Sequence, residues 1–146
     1  MTAITTLASP AGSRVKLHND GLATAGTETE YLLVPDWAKY MLVYLNVSAA
    51  TGTIDLTINE VDPVALDSSY VVPLADWNGV TQITGAAQVT VQAGPGITGI
   101  ADDDTGGATG DSIYKLNTML PPILQFVVTR GAGGGDTYTL YVVFKG

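Results

Sequence analysis

The stretch Tyr40–Glu60, YMLVYLNVSAATGTIDLTINE, decides the fold class. Its second half alternates without a break: Ile54, Leu56 and Ile58 fall on one side of an extended chain, and Asp55, Thr57 and Asn59 on the other. Period two marks a strand with one face on a core and the other in water. The first half alternates too, with Met41, Val43, Leu45 and Val47 on one face and Tyr40, Leu42 and Tyr44 on the other. Both faces of that strand are therefore expected to be covered. The small residues Ser48–Gly52 join the two halves at hairpin length, and the pair reads as a β-hairpin.

The pattern recurs at the C-terminal end, where Ile123–Thr129 and Thr137–Phe144 flank the glycine-rich run 130–136. This reads as a second hairpin with a glycine tip. Shorter strands are expected at Arg14–Leu17, Thr29–Val34, Tyr70–Leu74, Val80–Ile83, Gln88–Gln92 and Ile113–Leu116, each bounded by the Gly, Pro, Asn or Asp that turns require. Helical periodicity is nearly absent. Only Pro35–Lys39 has the makings of a single helical turn, with Pro35 at a starting position and Asp36 near the positive end of the dipole. The expected fold is all-β: an antiparallel, jelly-roll-like β-sandwich spanning residues 14–146, with a closed barrel as the competing architecture. A Thr- and Ala-rich arm, residues 1–13, precedes it as a flexible extension.

Composition narrows the function classes. At 146 residues the chain is long enough to bury roughly 70% of its unfolded surface in one core. It has no cysteine, which excludes disulfide scaffolds and Cys-ligated zinc. Fourteen acids against six bases give a net charge of −8, the wrong sign for a nucleic acid or an anionic membrane. The bases Arg14, Lys16, Lys39, Lys115, Arg130 and Lys145 never form a run. No stretch approaches the roughly 18 apolar residues of a membrane-spanning helix, and residues 1–13 lack the basic and apolar regions of a signal peptide.

Several motifs spell chemistry without its context. Gly94–Gly99 matches the letters of a dinucleotide-binding fingerprint, but Asp102, Asp103 and Asp104 follow where helix amides would have to meet a pyrophosphate. Asp104-Thr105-Gly106 matches the aspartic-protease tripeptide, yet the apolar setting that makes two carboxyls share a proton is missing. Asp102, Asp103, Asp104 and Asp111 form a weak candidate calcium loop that fails the EF-hand spacing. His18 is the sole histidine and reads as a surface residue in a turn. No catalytic residue and no cofactor is expected. Trp37 and Trp77 share a local setting, an aspartate before and a small or polar residue after. With Tyr70 they are the candidate partner contacts, since such rings bury a body and keep a polar tip wet. The competing role for both tryptophans is to cap the core.

Four segments together resemble a known group. Tyr31–Tyr40, Leu45–Glu60 with its LNVSA and TIDLTINE runs, Thr81–Gly85 reading TQITG, and the closing pair Leu124–Phe144 are similar to small virion proteins of tailed bacteriophages. The resemblance spans roughly residues 28–146, and residues 62–79 and 101–111 depart from it. It implies a head decoration (cement) or minor capsid protein on the capsid exterior, bound to the major capsid protein and to itself, with a trimer favoured. The arm and the long loops are then expected to make the capsid contacts. A tail, baseplate or receptor-binding component is one alternative. A carbohydrate-binding module with Trp37, Trp77 and surface tyrosines as a stacking platform is another.

Overall fold

The computed structural model describes residues 4, 14–20, 26–50, 52–98, 112–131 and 137–146, with residues 14–20, 49 and 82 as backbone. Ten strands account for most of it: β1 (Arg14–Asp20), β2 (Gly26–Leu33), β3 (Tyr40–Ala49), β4 (Ile54–Val61), β5 (Val71–Pro73), β6 (Val80–Ile83), β7 (Ala87–Gly94), β8 (Ser112–Asn117), β9 (Ile123–Arg130) and β10 (Thr137–Lys145). They form two sheets. Sheet I has the order β1-β10-β3-β7-β8, and sheet II the order β2-β9-β4-β5, with β6 also paired to β4. All pairings are antiparallel except β7 with β8, which run parallel. The chain is an open β-sandwich, not a barrel. Counting β5 and β6 as one interrupted strand and β8 as an addition leaves eight strands in jelly-roll order.

Both expected hairpins are corrected by this topology. β3 lies in sheet I and β4 in sheet II, and β9 and β10 are split in the same way. The strands were placed correctly, but each pair faces its partner across the core instead of bonding beside it. Alternation reports that a strand has one buried face; it is equally satisfied by a neighbour in the same sheet and by a strand stacked about 10 Å above. Residues 49–53 also lack the Asn-Gly or Asp-Gly of a tight hairpin turn. The two crossings start and end close together at one point, where the Gly131 amide donates to the Thr53 carbonyl at 2.7 Å.

The core between the sheets follows the alternation read from the sequence. Met41, Val43, Leu45 and Val47 face Ile54, Leu56 and Ile58, joined by Phe126 and Val128 from β9 and by Tyr138, Leu140, Val142 and Phe144 from β10. Each such side chain contributes roughly 1.5–3 kcal/mol on burial. Tyr40, Leu42 and Tyr44, on the other face of β3, are only half-buried. The turn at Pro35–Lys39 closes with a hydrogen bond from the Ala38 amide to the Pro35 carbonyl at 3.0 Å and forms no helix. His18 lies in β1 rather than in a turn.

The one helical element among the described residues, a 3-10 turn at Leu74–Asp76, interrupts the edge of sheet II. Ala75 and Asp76 both adopt left-handed φ, +53° and +57°, a conformation that costs non-glycine residues free energy. Leu74 and Trp77, both buried, anchor the excursion to the core. Gly79 ends it at φ +87°, where a Cβ would sit 2.3 Å from the Leu56 carbonyl oxygen, so only glycine lets β6 approach β4 there.

The interior is not entirely apolar. Arg130 on β9, 4% exposed, pairs with Glu28 on β2 at 2.7 Å, and the Tyr138 hydroxyl on β10 donates to the same carboxylate. This cluster ties sheet II to sheet I. On the outer face of sheet II, the Asn59 amide donates to the Gln125 carbonyl oxygen at 2.7 Å, and the Gln125 amide donates to the Tyr31 hydroxyl at 3.0 Å.

Candidate functional site

One end of the sandwich concentrates the exposed apolar surface. The connections β2–β3 (34–39), β4–β5 (62–70) and β8–β9 (118–122) meet there beside the C-terminal residue. The Val34 amide donates to the Pro122 carbonyl at 2.8 Å, and the Lys39 amide to the Lys145 carbonyl at 2.9 Å. Seven large hydrophobic side chains are exposed among the described residues; Leu33, Trp37, Val64, Tyr70, Val72 and Met119 sit at or beside this end, and only Ile113 lies elsewhere. Val64 and Met119 are 90% and 80% exposed. Scattered single hydrophobics need no explanation, but a gathering at one end does.

Local chemistry makes this end rigid. In the β4–β5 connection Asp62 accepts from the amides of Val64 and Ala65, at 2.8 and 3.1 Å, while the Leu66 amide donates to its carbonyl at 3.0 Å. Asp67, buried, does the same for Ser69 at 2.8 Å, and its carbonyl accepts from the Tyr70 amide at 3.0 Å. Two successive aspartate-capped turns therefore present Val64 and Tyr70 from a fixed frame. The Ile4 amide donates to the Leu66 carbonyl at 2.9 Å, which brings this point of the N-terminal segment to the same turn.

Pro121 and Pro122 form a ridge between two depressions. A groove of about 520 Å³ lies between the ridge and the β4–β5 turn, lined mainly by Val61, Pro63, Tyr70 and Val72, with Glu60 and Asp62 at its polar side. A smaller one, about 190 Å³, separates the ridge from Val34, Pro35 and Asp36. Trp37 stands beyond it, 51% exposed, close to Gly146. Apolar walls, rigid turns and a few carboxylates suit the capture of a surface.

The structure separates the residues that the sequence grouped. Trp37 and Tyr70 belong to the exposed end, whereas Trp77 is 8% exposed and packs on Tyr114 with ring centroids 5.1 Å apart. Trp77 is a core residue, and the identical local setting of the two tryptophans carries no information on burial. Asp102, Asp103, Asp104 and Asp111, the candidate calcium loop, and Asp104-Thr105-Gly106 lie outside the described residues, as does most of the arm 1–13. Among the described residues no group of three His, Cys, Asp or Glu side chains is placed to hold a metal, and no helix is long and apolar enough to cross a membrane. Gly94–Gly96 forms a turn in which the Gly96 amide donates to Asn117 at 2.9 Å. Sequence reasoning missed Val64, Val72, Met119 and the Pro121-Pro122 ridge. The doubled Asp-x-x turn signal in 62–70 was the available cue to a shaped loop. No protein-family model matches this chain, and no curated protein does.

Proposed function

We propose that the chain is a structural, non-enzymatic virion protein of a tailed bacteriophage, a decoration protein that binds the outer surface of the head and stabilises it. The observation that carries this reading is the apolar end, where Trp37, Tyr70, Val64 and Met119 stand exposed on turns braced by Asp62 and Asp67. A jelly-roll sandwich offers such an end as a stiff plug for a capsid surface, and the likeness of four segments to phage virion proteins supplies the partner. The major capsid protein is the proposed ligand, and self-association into a trimer would match a threefold position on the shell.

Co-sedimentation with purified expanded capsids tests the reading. The protein is expected to pellet with capsids, and the double variant W37A/Y70A to lose affinity at least about tenfold, as for buried aromatic anchors, with folding unchanged. Absence of the protein from the capsid pellet, or unweakened binding by the double variant, would refute it. Of the alternatives, the carbohydrate module loses its two-tryptophan platform because Trp77 is packed on Tyr114.

A further inference from the structure

The groove of about 520 Å³ between the Pro121-Pro122 ridge and the β4–β5 connection is poor in backbone donors. Pro63, Pro121 and Pro122 line it and have no amide to give. The amides of Asp62, Ser69 and Tyr70 are already donated within the loop, to the Tyr70 carbonyl at 3.1 Å, the Asp67 carboxylate at 2.8 Å and the Asp67 carbonyl at 3.0 Å. Val72 stands opposite Glu60 in the β4–β5 ladder. A strand laid along this groove therefore finds no continuous run of donors, and recognition by strand addition has nothing to build on.

The walls offer shape and one sign of charge instead. Tyr70 and Val72, 51% and 56% exposed, lie across the depression from the proline ridge. Glu60 and Asp62 are the charged residues among those that line it, and no base accompanies them. A segment suited to these walls needs no backbone partner, presents apolar ridges and carries a cation. A polyproline II helix meets all three conditions when an Arg or Lys flanks it. Its backbone makes no ladder, its side chains align every third residue, and its prolines are ordered before binding.

We infer that this groove binds a proline-rich segment of a partner protein in the polyproline II conformation, with a flanking Arg or Lys against Glu60 and Asp62. The chain's own seven prolines are scattered, and its one Pro-Pro pair forms the ridge, so the segment belongs to another protein. The inference rests on the reading above in taking this end as the docking surface, and it adds the chemistry of what the capsid protein would present there.

Fluorescence polarisation with synthetic peptides tests it on the intact protein, with capsid co-sedimentation run separately. Labelled Arg-Pro-Leu-Pro-Pro-Leu-Pro is expected to bind saturably, with a Kd below about 1 mM. Exchanging its Arg for Glu, or all its Pro for Gly, should weaken binding at least about tenfold. Tyr70→Ala should weaken it by about the same factor and Val72→Ser by a smaller one, both with folding unchanged. Glu60→Lys should abolish the preference for the Arg peptide over the Glu peptide, and Ile113→Ser, away from this end, should bind as the wild type does. No saturable binding, equal binding of the Glu or Gly peptide, or full binding by both Tyr70→Ala and Val72→Ser would overturn the inference. Capsid binding without peptide binding sinks this inference and leaves the capsid reading standing; peptide binding without capsid binding does the reverse.

Discussion

Sheet II carries two polar networks, one on each of its faces, and they are made of similar groups. On the inner face, Glu28, Arg130 and the Tyr138 hydroxyl meet between the sheets. On the outer face, Tyr31, Gln125 and Asn59 bond across β2, β9 and β4. The strands are the same, and the registers Glu28–Val128 and Tyr31–Gln125 belong to one ladder. What differs is charge. The inner network pairs a buried guanidinium with a carboxylate, so its members depend on one another. The outer one is neutral, and although Gln125 is itself buried, its partners Tyr31 and Asn59 keep part of their surface in water and can turn to it when a bond is lost. Charge and the exposure of the partners set what each bond is worth.

Removing one member of the inner pair tests this difference hardest. Arg130→Ala strands the Glu28 carboxylate and is expected to cost about 3–5 kcal/mol in denaturant unfolding. The matched replacement E28L/R130M should recover most or all of that loss, because a well-packed apolar pair avoids the desolvation altogether. If the single and double variants are equally unstable, the cluster is worth its packing and not its charge. Tyr138→Phe keeps the ring and removes one bond to a carboxylate, for an expected loss of about 1.5–3 kcal/mol. The smallest effect belongs to the outer face: Gln125→Ala should cost about 1 kcal/mol. A loss at Gln125 equal to that at Arg130 would erase the contrast between the two faces.

Much of the local structure was legible in the residues. Val80–Ile83 matches β6 residue for residue, and Ile54, Leu56 and Ile58 point inward as their alternation requires. Partition between sheets was not legible, because a buried face does not say whether its cover lies beside the strand or above it. Arg130 illustrates the same limit. Next to a glycine-rich run it reads as an exposed tip, yet it is buried because Glu28, distant in sequence, lies on the neighbouring strand β2. The apolar end was half visible. Trp37 and Tyr70 were singled out, but Met119 and Val64 acquire meaning only when three separate connections meet at one end. Trp77 turns inward because Ala75 and Asp76 take left-handed φ just before it, a reversal no local composition announces.

That reversal has a consequence for how these molecules can meet at high density. An uninterrupted edge strand is a template on which another chain adds its own strand, the first step toward fibres. The edge formed by β5 and β6 offers three residues ending in Pro73, which has no amide to donate, then a kinked excursion, then four residues more. No incoming strand finds a long enough ladder there. Crowded copies are thereby steered away from backbone pairing along this edge, which has no built-in end point.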